Sequence, residues 1–536
     1  MSTHRNGGAA VVETLAAHGV DTVFGIPGTH NLELYRHLAA CGIRPVTPRH
    51  EQGAGYAAEG YARVSGRPGV VLTTSGPGLT NAMTAAATAY AESQPMLVVS
   101  PGVPTGTEGG DLGLLHETKD SSAAMGNLVR WSRRVTTPDE AADAVTEAFA
   151  AFRGTRPRPV HVEIPVDVLE QPWGGSPWVG AAAVPPVPDA ADVRRAAALL
   201  TRARRPLVIA GGGAVDAAAE VRALAEALCA PVATTVNGKG VLDESHALAV
   251  GAAVRLRALQ KAAADSDALL AVGSELGDSD LWEGRITAQT VIRCDIEQGQ
   301  LHKNCPADIA LLGDAATTLS AISECLQSHF QDASSPESGF ADVQRRANEL
   351  RSACRHEART DAGIYEEISA AVRAALPTDG VLAGDSSQVT YLGSVHFFDL
   401  PAPRRFCYTP GYATLGYGLP AAIGAALARP EAPVAALVGD GAFMFCVQEL
   451  ATAVDLRLPL PIVVVDNGGY REIRDQQASR FIAPVGVDLP APDLVALAAA
   501  FGAHGVRAAD PGALTALVAD ALSADRPTLI HLKHRE

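Results

Sequence analysis

The sequence has no C-x-x-C pair. Its eight cysteines, at 41, 229, 294, 305, 325, 354, 407 and 446, are scattered over all 536 residues. A disulfide framework or a structural zinc site needs clustered cysteines, so this spacing points to reduced thiols and a cytoplasmic protein. His302 and Cys305 form a close His/Cys pair, and two ligands do not make a metal site. No stretch reaches the roughly 20 apolar residues of a membrane span. The N-terminal segment carries Glu13 and His18 among its apolar residues and reads as an amphipathic helix, not a signal peptide. Positive charge is scarce: 43 Lys and Arg stand against 59 Asp and Glu, a net charge of −16. Such a surface repels nucleic acid and anionic membrane, so neither is expected as a partner. The phosphate-loop pattern G-x-x-x-x-G-K-[ST] and the nucleophile elbow G-x-S-x-G are both missing. That argues against a Walker-type phosphotransferase and a serine hydrolase.

What is present is a folded composition, 47% hydrophobic and 19% charged, with 51 Gly and 35 Pro spread along the chain. It excludes extensive disorder and a fibrous repeat, and the length calls for two to four domains. Two stretches lose the regular pattern, QPWGGSPWVGAAAVPPVPD (171–189) and QDASSPESG (331–339). The second leads into a charged, helix-like stretch ending near Thr360. Read as linkers, they leave units at 1–172, 190–330 and 360–536. Each unit alternates short apolar runs with Ala-rich amphipathic stretches. The runs are DTVFGIPG, GVVLTTSGPG, PMLVVSPG and PVHVEIPVD, then PLVIAGGG, PVATTVNGKG, ALLAVGSE and TVIRCDIE, then VLAGDSS, APVAALVGDG, LPIVVVDNGG and PTLIHLKH. Rich in β-branched residues and mostly ending in glycine, they predict parallel strands with helical crossovers. The expected fold is α/β, three doubly wound parallel-sheet domains. Ligands then belong beyond the carboxyl ends of the strands.

The strongest local signal lies at two such ends. Gly439-Asp440-Gly441 follows one strand, and Asp466-Asn467-Gly468-Gly469-Tyr470 follows the next, Asn467 standing 27 residues after Asp440. The segment between them reads as a helix start and crossover, which brings both ends to one crevice. A carboxylate, a side-chain amide and a backbone carbonyl are hard oxygen ligands suited to Mg²⁺ carrying phosphates. A helix N-terminus after Gly441 would add donors for a diphosphate. Alone, Gly-Asp-Gly is more simply a structural turn; the pair at this spacing is not. Two further signals are PRHEQGA (48–54) leading into a helix, and TTSGPGLTNA (73–82), a Gly-rich strand-to-helix turn. By itself Glu51 reads as an exposed first-turn helix residue favoured by the macrodipole.

Together these segments resemble the thiamine-diphosphate-dependent decarboxylase and acetolactate-synthase superfamily. FGIPG (24–28), PRHEQGAGYAAEGYAR (48–63), TTSGPGLTNA (73–82), PVHVEIPVDV (159–168), RPLVIAGGG (205–213), GYATLGYGLPAAIGAALA (411–428), GDG (439–441) and DNGGY (466–470) carry the resemblance along essentially the whole chain. It implies pyrimidine-binding, central and diphosphate-binding domains. It also implies a homodimer or homotetramer whose cofactor lies between the first domain of one subunit and the third of another. Glu51 matches the glutamate that hydrogen-bonds the aminopyrimidine ring, favouring the imino tautomer that takes the thiazolium proton. Leu415 matches the bulky apolar residue under the bent cofactor, and the Ala413 carbonyl should receive its amino group. Asp440, Asn467 and the Gly469 carbonyl match the Mg²⁺ ligands. Ser387, Gln388, Gly439, Gly441, Ala442 and Tyr470 fall where the cofactor is held. The family usually has Asn-Asn where this chain has Asp466-Asn467; the first of that pair is not a ligand, so the metal site should survive. A non-catalytic relative would be expected to have lost Glu51 or the metal positions, and all are present.

In the central unit GGGAVD (211–216) lacks the third glycine of a dinucleotide loop. FAD-binding acetolactate synthases carry a Gly-Met-His-Gly-type and a Phe-Asp-Asp-Arg-type turn; here those places read GAAVRLRA (251–258) and GSELGDSD (273–280). FAD is therefore not expected. The implied reaction is non-oxidative decarboxylation of a 2-oxo acid to an aldehyde, or carboligation to a second carbonyl compound. Residues near the thiazolium should decide: Thr29 over the substrate carboxylate, His116 as a proton donor, with His30 and Gln388 beside them. Glu472 falls where relatives choose the substrate side chain, and an acid there suits a cationic tail. PRHEQGAGY with GIPGTH and GLLHE most resembles the 5-guanidino-2-oxopentanoate (2-ketoarginine) decarboxylase branch. Glu472, Glu117 or Asp111 could pair its guanidinium bidentately.

Overall fold

The computed structural model describes residues 5–330 and 337–534. The first sheet holds β1 (Thr22–Gly25), β2 (Arg44–Val46), β3 (Gly69–Leu72), β4 (Met96–Gly102), β5 (Ser132–Arg134) and β6 (Val160–Pro165). The second holds β7 (Pro206–Ala210), β8 (Val232–Thr234), β9 (Ala249–Ala252), β10 (Ala268–Val272), β11 (Val291–Asp295) and β12 (Ile309–Leu312). The third holds β13 (Val381–Gly384), β14 (Phe406–Cys407), β15 (Val434–Gly439), β16 (Pro461–Asp466), β17 (His504–Ala508) and β18 (Thr528–Lys533). Every ladder in the three sheets is parallel. The orders are β2-β1-β3-β4-β6-β5, β12-β11-β10-β7-β8-β9 and β14-β13-β15-β16-β18-β17. The first and third sheets share one topology. The second has the order of a dinucleotide-binding sheet.

The apolar runs of the sequence are the interior strands, buried on both faces and so mostly apolar. Residues 171–189 form no helix or strand. Of the second predicted linker, 331–336 lie outside the described residues, and the remainder is corrected: the helix Glu337–Ala362 already begins there. A second correction falls between β15 and β16. The crossover is two short helices, Asp440–Met444 and Glu449–Asp455, and the first begins at Asp440 itself rather than after Gly441. Glu449, at the second start, accepts from the Arg49 amide at 3.2 Å, so the break delivers a carboxylate to the first unit.

The first and third units are locked by helix Glu51–Ser65 against helix Gly418–Ala428. Their backbones nearly touch: a Cβ at Gly60 would lie 2.4 Å from the Ala421 carbonyl oxygen, and one at Gly424 only 1.9 Å from that of Ala57. Beside this seam Arg63 donates to Glu59 at 2.7 Å and to Asn237 of the central unit at 2.8 Å. Glu92 accepts from Asn237 at 2.8 Å and from the Gly411 amide at 2.7 Å, and Tyr417 donates to Glu59. Gly424→Ala should force the helices apart and cost about 1–3 kcal/mol, the usual size of overpacking. Urea unfolding midpoints measure it; an unchanged midpoint would mean that the helices separate freely.

Candidate active site

The carboxyl ends of β13, β15 and β16 form one edge of a crevice in the third unit. Asp440 directly follows β15, is 4% exposed, and accepts from the Gly469 amide at 2.9 Å. Burial pushes its carboxyl up to about 6; the Asp466 charge adds to this, while the amides of Gly441, Gly469 and Gly468 oppose it. Asn467 spends its side-chain N–H groups on Tyr365 Oη at 3.2 Å and Gln388 Oε1 at 3.3 Å, which turns its amide oxygen the other way. Gly468 and Gly469 have φ of +93° and +119°, values that suit glycine alone, and these angles set where the Gly469 carbonyl points. Asp466 is not part of this set: its oxygens accept from the Gly468 amide at 3.1 Å and His531 Nε2 at 3.2 Å. The departure from Asn-Asn is absorbed as an internal anchor.

The same crevice continues through Gln388 and Glu472 to Tyr391 and Gln476, which the sequence did not single out. Gln388 donates to Glu472 at 3.2 Å, Tyr391 donates to the same Oε2 at 2.8 Å, and Gln476 donates to Oε1 at 3.0 Å. Glu472, on helix Arg471–Ser479, is thus held by three donors and tied through Gln388 to Asn467. Ser387 backs onto Gly439, where a Cβ would come within 3.0 Å, and the Tyr470 ring covers Gly441 at 2.9 Å from its missing Cβ. Ser386 Oγ is buried and has no hydrogen-bond partner, an orphan donor beside this loop. Ala442 follows in the first helical turn.

Leu415 lies in a turn strung over Asp385. That buried carboxylate accepts from the amides of Ser386 at 2.8 Å, Gly416 at 3.2 Å and Gly418 at 2.7 Å. Ala413 has φ +51°, a left-handed conformation unusual for alanine, and its amide donates to the Thr409 carbonyl at 2.9 Å. No sequence signal marked Asp385, because its partners are backbone amides 31 and 33 residues away.

The first unit contributes a second group. Glu51 opens the helix Glu51–Ser65, is 8% exposed, and accepts from Asn81 at 2.9 Å. It is buried, where the sequence taken alone suggested an exposed first turn. His30 Nδ1 lies 2.5 Å from Ser75 Oγ, and His116 Nδ1 lies 3.3 Å from the same oxygen. Burial and the nearby His116 both hold His30 below the ordinary histidine range. Thr29 is exposed beside them. Glu117 accepts from the amides of Leu112 and Leu114, on its own loop, and Asp111 is exposed on the same loop. Asn81 and Ser75 sit inside the quoted turn TTSGPGLTNA, where a polar residue facing the strand end was the available clue. No side chain of this group hydrogen-bonds to Asp440, Asn467, Gln388 or Glu472 among the described residues.

The hard oxygens at Asp440, Asn467 and Gly469 suit Mg²⁺, and the orphan Ser386 hydroxyl and glycine-lined loop suit a diphosphate. Sequence comparison agrees with that fit. The N-terminal TPP binding domain of thiamine pyrophosphate enzymes matches residues 5–124, their central domain 193–322, and their C-terminal TPP binding domain 387–532. A probable 2-ketoarginine decarboxylase of Pseudomonas aeruginosa is 42% identical over 98% of this chain and 94% of its own. The acetolactate synthase large subunit of Parasynechococcus marenigrum is 34% identical over 99% and 88% of the two chains. The isozyme 2 large subunit of Escherichia coli is 32% identical over 98% and 95%.

Asp385 yields a pH prediction. Burial pushes its carboxyl up to about 6, above the 3.8 of the unfolded chain. Its proton therefore stabilises the fold; that contribution is complete below about pH 4 and is lost as pH rises through about 6. Measured against Asp385→Asn, wild-type stability should fall by about 3 kcal/mol between those limits. Urea midpoints at each pH test it, and a constant gap would mean the carboxyl ionises as readily in the fold as in water.

Proposed function

The chain belongs to the thiamine pyrophosphate enzymes, and on that premise we propose that it decarboxylates a 2-oxo acid with a cationic tail, 5-guanidino-2-oxopentanoate foremost. Thiamine diphosphate, when bound, supplies a carbon nucleophile and an electron sink for the loss of CO₂. Asp440, Asn467 and the Gly469 carbonyl would hold Mg²⁺, with Gly439, Gly441, Ala442, Ser387, Gln388 and Tyr470 around the diphosphate. Asp440, buried with a raised pKa, gains most from an adjacent cation. Glu51, fixed by Asn81, would hold a proton against the aminopyrimidine ring, while Leu415 supports the cofactor and the Ala413 carbonyl accepts its amino group. Thr29 would face the substrate carboxylate, and His116 would deliver a proton to the product carbon.

The observation that carries the substrate reading is Glu472. It is a carboxylate with its orientation fixed by Tyr391, Gln388 and Gln476, and it opens on a cleft whose wall also bears Glu275, Asp278, Glu283 and Glu297 against Arg158 and Lys303. That excess of acid favours a guanidinium or ammonium tail. The acetolactate synthase relatives support carboligation as the second reading, and product mass separates the two.

We read the units as 1–172, 190–330 and 360–536, in a cytoplasmic homodimer or homotetramer with the cofactor between subunits. Leu112 and Leu115 in the first unit and Tyr412, Met444 and Phe445 in the third are exposed apolar residues that a second copy would cover. FAD is not part of this reading, because the turns at 251–258 and 273–280 lack the pattern of the FAD-binding relatives. Among the described residues no helix is long and apolar enough to cross a membrane.

Glu51→Gln should leave the fold intact and lower turnover by about 10²-fold or more; full activity would remove Glu51 from the chemistry. A panel of 2-oxo acids, assayed for CO₂ release with thiamine diphosphate and Mg²⁺, should show 5-guanidino-2-oxopentanoate far ahead of pyruvate in kcat/KM. Glu472→Gln should cut that preference by about 1.5–3 kcal/mol and change the rate on a neutral 2-oxo acid little. Pyruvate as the best donor, with a ligated product accumulating, would give the carboligase reading its place.

A further inference from the structure

Ser75 stands between the two histidines of the first unit. Its Oγ is 2.5 Å from His30 Nδ1 and 3.3 Å from His116 Nδ1, and the rings meet edge to face with centroids 5.3 Å apart. At 4% exposure the hydroxyl is shielded from competing water. The backbone holds this arrangement in place. His116 is in the left-handed region at φ +63° and is packed on Gly76, where a Cβ would come 2.5 Å from the His116 carbonyl oxygen.

A serine hydroxyl has one hydrogen to donate. Its oxygen has these two nitrogens as its only side-chain partners among the described residues, so its one hydrogen goes to one Nδ1 and the other ring donates to the oxygen. The nearer nitrogen, His30 Nδ1, takes the hydrogen of Ser75. We propose that Ser75 is a positioning residue that holds His30 and His116 in opposite tautomers, so that the pair carries one exchangeable proton, at His116 Nε2. The inference rests on the proposed reaction only for what that proton is used for. His30 keeps its hydrogen on Nε2. His116 donates its Nδ1–H to Ser75, binds a proton at Nε2 to become the imidazolium, and releases it to become neutral with the Ser75 bond unchanged. A second proton, on His30 Nδ1, would turn the serine hydrogen away and set two cations side by side. The neighbouring carboxylates are engaged elsewhere: Glu117 with the amides of Leu112 and Leu114, Glu51 with Asn81.

Ring ¹⁵N spectra of the full-length protein read the tautomers, the two signals being identified by their loss in His30→Gln and His116→Gln. The expected result is Nε2–H on His30 and Nδ1–H on His116. Ser75→Ala should release His116 to the Nε2–H form that a free imidazole favours, and Ser75→Thr, which keeps the hydroxyl, should restore it. On the best 2-oxo acid, Ser75→Ala should lower kcat about tenfold with KM little changed. The same tautomer on both wild-type rings, or a His116 signal indifferent to Ser75→Ala, overturns the proposal. A protein that decarboxylates no 2-oxo acid defeats the proposed reaction instead, and the spectra then decide the tautomers by themselves.

Discussion

A guanidinium buried where three domains meet governs the arrangement of everything else. Arg63 is 7% exposed, and burial works to lower its pKa, but the charges of Glu59 and Glu92 outweigh that and raise it well above the usual range. Glu59 is one turn back on the same helix, Glu92 follows a neighbouring helix, and Asn237 comes from the central unit. Each charge is tolerable only while the others stay in place. Removing one partner of such a pair generally costs about 3–5 kcal/mol, because the remaining charge is left buried and uncompensated. The node therefore makes relative movement of the three units expensive without being itself a large source of stability.

From that node the constraint reaches both halves of the site. Glu51 is twelve residues before Arg63 on one helix, about 18 Å along a rigid rod, and Gly60 and Gly424 press that rod against the third unit. In the other direction, Glu92 accepts from the amides of Gly411 and Tyr412, the residues just before Ala413. The strained Ala413 backbone thus has one neighbour fixed by the node and another, Gly416, fixed by Asp385. Both groups that would touch the pyrimidine half of the cofactor take their positions from buried carboxylates far from the chemistry.

How much of this could be read from the sequence depends on what each element buries. The twelve strands predicted are the interior strands of the three sheets, and the six not predicted, β2, β5, β9, β12, β14 and β17, are all edges. Interior parallel strands are apolar on both faces and show as continuous runs. Edge strands such as Arg44–Val46 and Ser132–Arg134 are short and partly exposed, and leave no such run. The candidate site divides in the same way. Asp440 and Asn467 lie in local motifs whose residue types and spacing point to a cation site, whereas Glu51 and Glu472 are marked by the family resemblance. Tyr391, Asp385, Asn81 and Ser75 act across distances in the chain that only the folded sheet closes. The single crossover helix expected between β15 and β16 failed for a related reason: Glu449 is drawn to a backbone amide 400 residues away.

Two carboxylates in the third unit show how surroundings divide the work. Asp440 is buried beside amides and another acid, so its charge is under-compensated and a cation there relieves it. Glu472 is half-buried and already accepts three hydrogen bonds, two on Oε2 and one on Oε1. A carboxylate has about four such places. The fork of a guanidinium needs one on each oxygen, and Oε2 has none left unless Gln388, the longest of the three at 3.2 Å, gives way. For the proposed substrate, the bidentate pairing suggested for Glu472 would thus give way to a single charge-assisted contact at Oε1. Gln388 also touches Asn467, so a ligand that did displace it would disturb the proposed metal site. Under the proposed function, recognition of a cationic tail and retention of the metal would be linked through one amide side chain.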